Sequence, residues 1–151
     1  MATASSTREQ TQPAQTTDKA PLMSSRGLIL LVEDDPLLAQ LETDILAAHG
    51  YTVTQVESGE LALKAFRETA PDLVLLDLDL PGAVNGWDVL RGLRTYAGTS
   101  TTPVLLTSAE AWAQRRLRTC GEPRSMLDHL PKPYPISTLL KRIERMLHMT
   151  P

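Results

Sequence analysis

Acidic residues directly follow two apolar runs of this chain. Glu33, Asp34 and Asp35 follow LILLV, while Asp77 and Asp79 lie in the run VLLDLDLPG. A run this apolar is typical of a β-strand buried on both faces, where an ionised carboxylate is costly unless its charge is compensated. Carboxylates from two strand ends would also raise each other's pKa by repulsion. A bound cation would resolve both problems.

Residues with other chemistry follow the later apolar runs. Thr107 and Ser108 end PVLLTS, and Lys132 follows MLDHLP. Pro133 restricts Lys132 toward an extended backbone, which helps to aim its side chain. Carboxylates, a hydroxyl and an ammonium group around a divalent cation are the parts that phosphoryl transfer needs for positioning and charge neutralisation.

Mg²⁺ suits this set of residues. It prefers oxygen ligands in octahedral geometry, usually one or two carboxylates with waters and substrate phosphate. Glu33, Asp34 and Asp77 carry three negative charges. Mg²⁺ offsets two of them, and Lys132 can offset the last. Asp77 is then the candidate nucleophile, because carboxylates can form aspartyl-phosphate intermediates.

The elements that would position these residues alternate along the chain. Strands are predicted at 27–33, 51–57, 72–78, 103–107 and 126–130, and each is followed by apolar residues at helical spacing. Asp35 and Ser58 are the predicted N-caps of the first two helices, and the fourth helix is predicted over 109–119. This alternation predicts a three-layer α/β sandwich with a five-stranded parallel sheet and five helices. Its chemistry should gather at the carboxyl ends of the strands.

Composition restricts the class of protein. The 151 residues are 42% hydrophobic and 22% charged, and the net charge of −3 gives no electrostatic footprint for nucleic acid or an anionic membrane. One cysteine excludes an internal disulfide, and no apolar run approaches the roughly 20 residues of a membrane span. We expect a cytoplasmic protein. Residues 1–25 are predicted to be a disordered tail and 26–149 the folded domain.

The motifs LLVEDDP, PDLVLLDLDLPG, NGWDVL, PVLLTSA and LPKPY, in this order and spacing, resemble the response-regulator receiver domain of bacterial two-component signalling. The resemblance runs from about Leu28 to Met149. It implies a flavodoxin-like fold with strand order 2-1-3-4-5. It also implies a sensor histidine kinase or a histidine phosphotransfer protein as the phosphoryl donor, and an unidentified downstream protein as the receiver of the signal. A homodimer through the fourth and fifth helices is compatible with it.

The resemblance gives the acidic residues distinct roles. Asp77 is implied as the phosphoacceptor, Asp34 as a direct Mg²⁺ ligand, and Glu33 as an acid held near the metal through water. The backbone carbonyl of Asp79 is implied as a further metal ligand. Its side chain stands where the family often has an uncharged residue, and the loop PGAVNGW is one residue longer than the common form.

The resemblance also assigns the residues of the last two strands. Thr107 is implied as the switch hydroxyl and Lys132 as a contact of the phosphoryl group. His129 stands where the family typically has the aromatic switch residue, Tyr or Phe. It could couple to Thr107, or it could be a partly exposed strand-end histidine. The segment GEPRSMLDH is longer than usual before the fifth strand.

Three functions remain open from sequence alone. The favoured one is a stand-alone receiver, which is not an enzyme but catalyses its own phosphorylation and dephosphorylation. The second is a pseudo-receiver that binds partners without phosphorylation. The third is a haloacid-dehalogenase-type phosphatase, whose first motif resembles Asp77-Leu-Asp79. That family places an acidic pair after its lysine, whereas this chain has only Glu144 after Lys132.

Overall fold

The computed structural model of the chain describes residues 24–96 and 101–149. The predicted tail therefore lies outside the described residues, apart from Ser24 and Ser25. The strands are β1 (Leu28–Val32), β2 (Thr52–Val56), β3 (Leu73–Asp77), β4 (Val104–Ser108) and β5 (Leu127–Pro131). The helices are α1 (Pro36–Ala48), α2 (Gly59–Thr69), α3 (Gly86–Thr95), α4 (Trp112–Thr119) and α5 (Ile136–Met149).

All five strands pair in parallel in the order β2-β1-β3-β4-β5. This confirms the three-layer α/β sandwich and the strand order. Val32 of β1 lies opposite Leu76 of β3, and Asp77 lies opposite Thr107 of β4. The carboxyl ends of β1, β3 and β4 therefore meet at one edge of the sheet, where the candidate residues stand.

Each face of the sheet has its own apolar core. Leu30, Leu76 and Leu106 pack under α2, α3 and α4. Their neighbours along the strands, among them Leu75 and Leu105, face α1 and α5, because successive side chains of a strand point to opposite faces. Each fully buried leucine of this kind stabilises the fold by about 1.5–3 kcal/mol. The central strands are therefore rigid supports for the residues at their ends.

The predicted helix caps are confirmed. The carboxylate of Asp35 accepts the backbone N–H groups of Leu37 and Leu38, and the Ser58 hydroxyl accepts that of Leu61. The fourth helix begins three residues later than predicted. The Ser108 hydroxyl accepts the N–H of Glu110, which holds this stretch in a turn instead of a helix.

No helix within the described ranges is both long and apolar enough to cross a membrane.

Candidate functional site

Three of the predicted carboxylates meet at the carboxyl edge of the sheet. Glu33 and Asp34 follow β1, and Asp77 ends β3. One oxygen from each of the three lies within 4.8 Å of the other two. Glu33 and Asp77 are only 3% exposed, whereas Asp34 is exposed. Two buried acids and one exposed acid thus form a cluster that is open on one side.

The side chain of Lys132 reaches this cluster from the end of β5. Its Nζ lies 3.2 Å from Oε2 of Glu33 and 3.2 Å from Oδ2 of Asp77. Its backbone N–H donates to the carbonyl of Ser108 at 2.8 Å, and the Lys132–Pro133 peptide bond is cis. Burial alone would lower the pKa of Lys132, but the charges of Asp77 and Glu33 outweigh burial and raise it. The ammonium group is therefore charged at neutral pH.

The negative charge of the three carboxylates exceeds the positive charge that lies next to them. Burial, followed by the charge of Asp77, raises the pKa of Glu33 to about 7, although Lys132 and the N–H of Asp35 partly oppose the shift. Three carboxylates face one ammonium group, and every donor atom is a carboxylate oxygen. This donor set fits a hard divalent cation such as Mg²⁺, which prefers oxygen ligands.

Asp79 connects two loops of the site. Its N–H donates to Oδ1 of Asp77 at 2.8 Å, and its own Oδ2 accepts the N–H of Ala109 at 3.1 Å. The loop after β3 is therefore tied to the loop after β4 through an exposed carboxylate. The sequence did not predict this second contact, because nothing local to Asp79 indicates a partner thirty residues away.

Thr107 and His129 are both buried. Thr107 is 2% exposed and lies directly opposite Asp77, and its carbonyl accepts the N–H of Leu78 at 2.9 Å. His129 is 4% exposed, so the expectation of a partly exposed strand-end histidine is wrong. Neither ring nitrogen of His129 has a partner among the described residues. Burial lowers the pKa of His129, which keeps the ring neutral at pH 7.

The two tryptophans pack against each other. Trp87 of α3 and Trp112 of α4 are stacked with ring centroids 5.8 Å apart. The guanidinium of Arg116 lies over Trp87 at 4.2 Å from the ring centroid. Both rings therefore have packing contacts within the fold. Arg116 of α4 therefore packs over the face of an indole ring.

Arg94 of α3 was not predicted to matter. Its guanidinium makes hydrogen bonds of 2.9–3.2 Å with both oxygens of Glu122. It also donates to the carbonyls of Thr102 and Met126, at 2.9 and 3.0 Å. These bonds hold the unusually long segment before β5 against the domain. Arg94 lies twenty-eight residues from Glu122, so sequence spacing gave no signal of the pair.

Comparison with known proteins identifies the family. Residues 29–144 match the sequence profile described as "Response regulator receiver domain". The chain belongs to this family. Receiver domains are signalling domains of two-component systems, and they generally bind Mg²⁺ at an acidic pocket and interact with histidine kinases or phosphotransfer proteins. Membership of this family rules out the haloacid-dehalogenase-type interpretation.

Relatives of this receiver domain differ in length. Over 85 residues it is 46% identical to the DNA-binding response regulator MtrA of Mycolicibacterium smegmatis. The matched stretch covers 56% of this chain and 36% of that MtrA. The receiver domain is 34% identical to protein PilH of Pseudomonas aeruginosa over 79% of this chain and 96% of PilH. The chain thus spans only about a third of MtrA but nearly all of PilH.

Solved structures agree with the fold. One is the signal receiver domain of a signal transduction histidine kinase from Syntrophus aciditrophicus, which is 30% identical. It superposes with a TM-score of 0.70 over 81% of this chain and 90% of that chain.

Proposed function

We propose that this receiver domain accepts a phosphoryl group on Asp77 from a phosphohistidine of a sensor histidine kinase or a histidine phosphotransfer protein. The observation that carries the proposal is the position of Lys132, whose ammonium lies 3.2 Å from Oδ2 of Asp77. A phosphoryl group on Asp77 brings additional negative charge to a buried strand end. Lys132 is placed to offset that charge as it develops.

In the proposed reaction a carboxylate oxygen of Asp77 attacks the phosphorus atom of the phosphohistidine. The new P–O bond forms as the P–N bond breaks, and the imidazole leaves with the bonding electron pair. In the later hydrolysis, water attacks the phosphorus, the P–O bond to Asp77 breaks, and inorganic phosphate leaves. The aspartate is regenerated, so the domain returns to its starting state.

Glu33, Asp34 and Asp77 would hold Mg²⁺, with the backbone carbonyl of Asp79 as a further ligand. This assignment is supported by the all-oxygen cluster, in which three carboxylates face one ammonium group. When bound, the ion supplies charge neutralisation and orientation for the phosphoryl oxygens. The exposed carboxylate of Asp34 leaves one side of the cluster open to the donor.

Thr107 and His129 are the proposed switch residues. The register that sets Thr107 opposite Asp77 supports a contact between its hydroxyl and the phosphoryl group. The unpartnered ring nitrogens of His129 support a rearrangement, because a buried polar group without a partner costs about 1–3 kcal/mol. The two side chains would bias the surface of α4, β5 and α5 between two states that a downstream protein, or a second copy of the chain, distinguishes.

The deciding experiment compares wild type with Asp77→Asn by intact mass after incubation with Mg²⁺ and acetyl phosphate. Wild type should gain one phosphoryl group, and the variant should gain none. If wild type gains no phosphoryl mass even at short incubation times, the pseudo-receiver is the correct interpretation. If Asp77→Asn is labelled like wild type, the phosphoacceptor is another residue.

A further inference from the structure

Helix α1 buries a glutamate while the leucine next to it in the sequence is exposed. Leu41 is 52% exposed, whereas the adjacent Glu42 is 3% exposed. Leu41 is one of the apolar residues at helical spacing after the first predicted strand, a pattern that predicts burial on the core face. Its exposure is therefore a correction. A carboxyl group inside an apolar layer is costly unless it is hydrogen-bonded. Such a residue requires an explanation beyond packing.

The partner of Glu42 lies in the loop that carries Lys132. The hydroxyl of Tyr134 donates a hydrogen bond to Oε1 of Glu42. The ring of Tyr134 packs against the apolar cluster formed by α1, α5 and the sheet. Oε2 of Glu42 is buried and has no partner among the described residues. Burial raises the pKa of Glu42, and the hydrogen bond from Tyr134 opposes that shift only in part.

Few backbone hydrogen bonds are available to hold the Lys132 loop. Residues 131, 133 and 135 are prolines and lack an N–H donor. Lys132 and Tyr134 are the two residues of this five-residue stretch that retain one. The N–H of Lys132 is bonded to the carbonyl of Ser108 in β4. The Tyr134 hydroxyl adds an attachment on the other side, to Glu42 of α1.

Helix α1 is also the helix that follows the acidic residues of the site. It begins at Pro36, directly after Glu33, Asp34 and the N-cap Asp35. Attachment of Tyr134 to Glu42 therefore ties the lysine loop to the same rigid helix that leads out of the acidic cluster. The loop that carries the ammonium group is thus attached both to β4 and to α1.

We propose that the Glu42–Tyr134 pair positions Lys132 against Asp77, and that Glu42 is a positioning residue for phosphoryl transfer. The proposal rests on the proposed function for its effect on rate. Its structural part, the placement of the Lys132 ammonium, can be measured without phosphorylation.

Three substitutions separate the hydrogen bond from packing. Tyr134→Phe removes only the hydroxyl, Glu42→Leu removes the acceptor but keeps an apolar chain, and Glu42→Gln keeps an oxygen acceptor. Since a small misplacement of a reacting group costs up to about 100-fold in rate, we expect the first two to slow phosphorylation by acetyl phosphate about 10- to 100-fold. Glu42→Gln should retain most of the rate. Tyr51→Phe is the matched control, because Tyr51 is a buried tyrosine just before β2.

A double substitution tests whether the effect passes through Lys132. In a Lys132→Ala background, Tyr134→Phe should cause no further loss of rate, because the group it positions is gone. A purely structural role would instead slow the Lys132→Ala protein by the same factor as wild type. That result would overturn the proposal.

The accessibility of the Lys132 amine can also be measured chemically, without phosphorylation. Acetylation by an amine-reactive reagent is followed by mass spectrometry and expressed relative to Lys64, whose side chain is 69% exposed. The ion-paired Lys132 is 20% exposed and should react slowly in wild type and in Tyr51→Phe. Its relative rate should rise severalfold in Tyr134→Phe and Glu42→Leu. If Lys132 reacts no faster in these variants than in wild type, the positioning role is refuted, even if wild type is phosphorylated. If Lys132 reacts faster in the variants but wild type takes no phosphoryl group, only the proposed function is refuted.

Discussion

The Nζ of Lys132 lies 3.2 Å from Oδ2 of Asp77, although Asp77 ends β3 and Lys132 follows β5, with β4 between the two strands. The same atom lies 3.2 Å from Oε2 of Glu33. Both acids are almost fully buried, so the ammonium group is their main source of compensating charge within the described chain when no metal ion is bound. Its removal should affect stability and chemistry together.

Lys132→Met removes the charge and keeps a chain of similar length. We expect the free energy of unfolding in metal-free buffer to fall by about 1–3 kcal/mol, less than for a fully buried pair because the lysine itself is partly exposed. Millimolar Mg²⁺ should recover part of this loss. Urea denaturation with and without Mg²⁺ measures both effects.

Lys64→Met is the control for this change. Lys64 pairs with Glu68 at 3.9 Å, and both side chains are mostly exposed. Its substitution should alter stability by less than about 0.5 kcal/mol. Equal losses for the two variants would mean that the charge of Lys132 is not needed by the buried acids.

The raised pKa of Glu33 predicts a pH dependence of stability. Glu33 has a pKa of about 7 in the folded domain against an ordinary value of 4.5, so the folded state retains a proton that the unfolded chain loses between these values. Its contribution to stability is complete below about pH 4.5 and is lost as the pH rises through about 7. Urea denaturation at pH 5 and pH 8 without metal should show a larger fall for wild type than for Glu33→Gln.

The same proton should compete with Mg²⁺. A carboxylate must lose its proton before it binds a metal ion. Mg²⁺ affinity should therefore rise between about pH 6 and pH 8 in wild type, roughly one unit either side of the raised pKa of Glu33. The rise should be smaller in Glu33→Gln. Isothermal titration calorimetry at several pH values measures it, and an identical pH profile for the two proteins would contradict the assignment of this proton to Glu33.

Much of the fold and of the site geometry followed from local sequence. Five apolar runs predicted the five strands. Asp35 and Ser58 correctly predicted the starts of the first two helices, because an N-cap acts on backbone groups only a few residues away. Parallel strands bring their carboxyl ends to one edge of the sheet, so Asp77 and Thr107 were expected in one cluster. The strand order that makes them direct neighbours was implied by the resemblance to receiver domains, and the register confirms that they lie opposite each other. The chemical roles of these residues stay predictions.

The missed features depend on contacts between distant segments. The Glu42–Tyr134 hydrogen bond joins residues ninety-two positions apart, and the pattern of α1 favoured Leu41 for the buried position. The burial of His129 depends on how α4 and the segment before β5 lie over the strand, which no local pattern specifies. Local sequence spacing alone could not settle either case.

Gly86 leaves space for the end of β3. A Cβ at this position would lie 2.5 Å from the carbonyl oxygen of Asp77 and 2.4 Å from Cα of Leu78. Gly86→Ala must therefore displace backbone at the proposed phosphoacceptor, and we expect the free energy of unfolding in urea denaturation to fall by about 1–3 kcal/mol. Gly92→Ala, in the same helix, is the control, because its Cβ would meet mainly the flexible tip of Leu63. If Gly92→Ala costs as much as Gly86→Ala, the close approach to Asp77 is not the cause.

Arg94 should stabilise the long segment before β5 by its planar geometry as well as its charge. Its side chain is 16% exposed, and its guanidinium binds Glu122 through two nitrogens while donating to the carbonyls of Thr102 and Met126. A lysine carries the charge but cannot reproduce this fork of donors. Arg94→Lys should therefore lower the free energy of unfolding by about 1–3 kcal/mol and increase protease cleavage between residues 120 and 126.

Arg91→Lys separates this geometry from a general effect of arginine in α3. Arg91 is 69% exposed and pairs with Asp88 at 3.6 Å, so a lysine should serve equally well there, with a change below about 0.5 kcal/mol. If Arg94→Lys and Arg91→Lys give the same small change, the segment is held by its apolar contacts and not by the guanidinium. A selective loss for Arg94→Lys would instead show that this long-range pair holds the segment before β5 in place. That segment leads into the strand that carries His129 and is followed by Lys132.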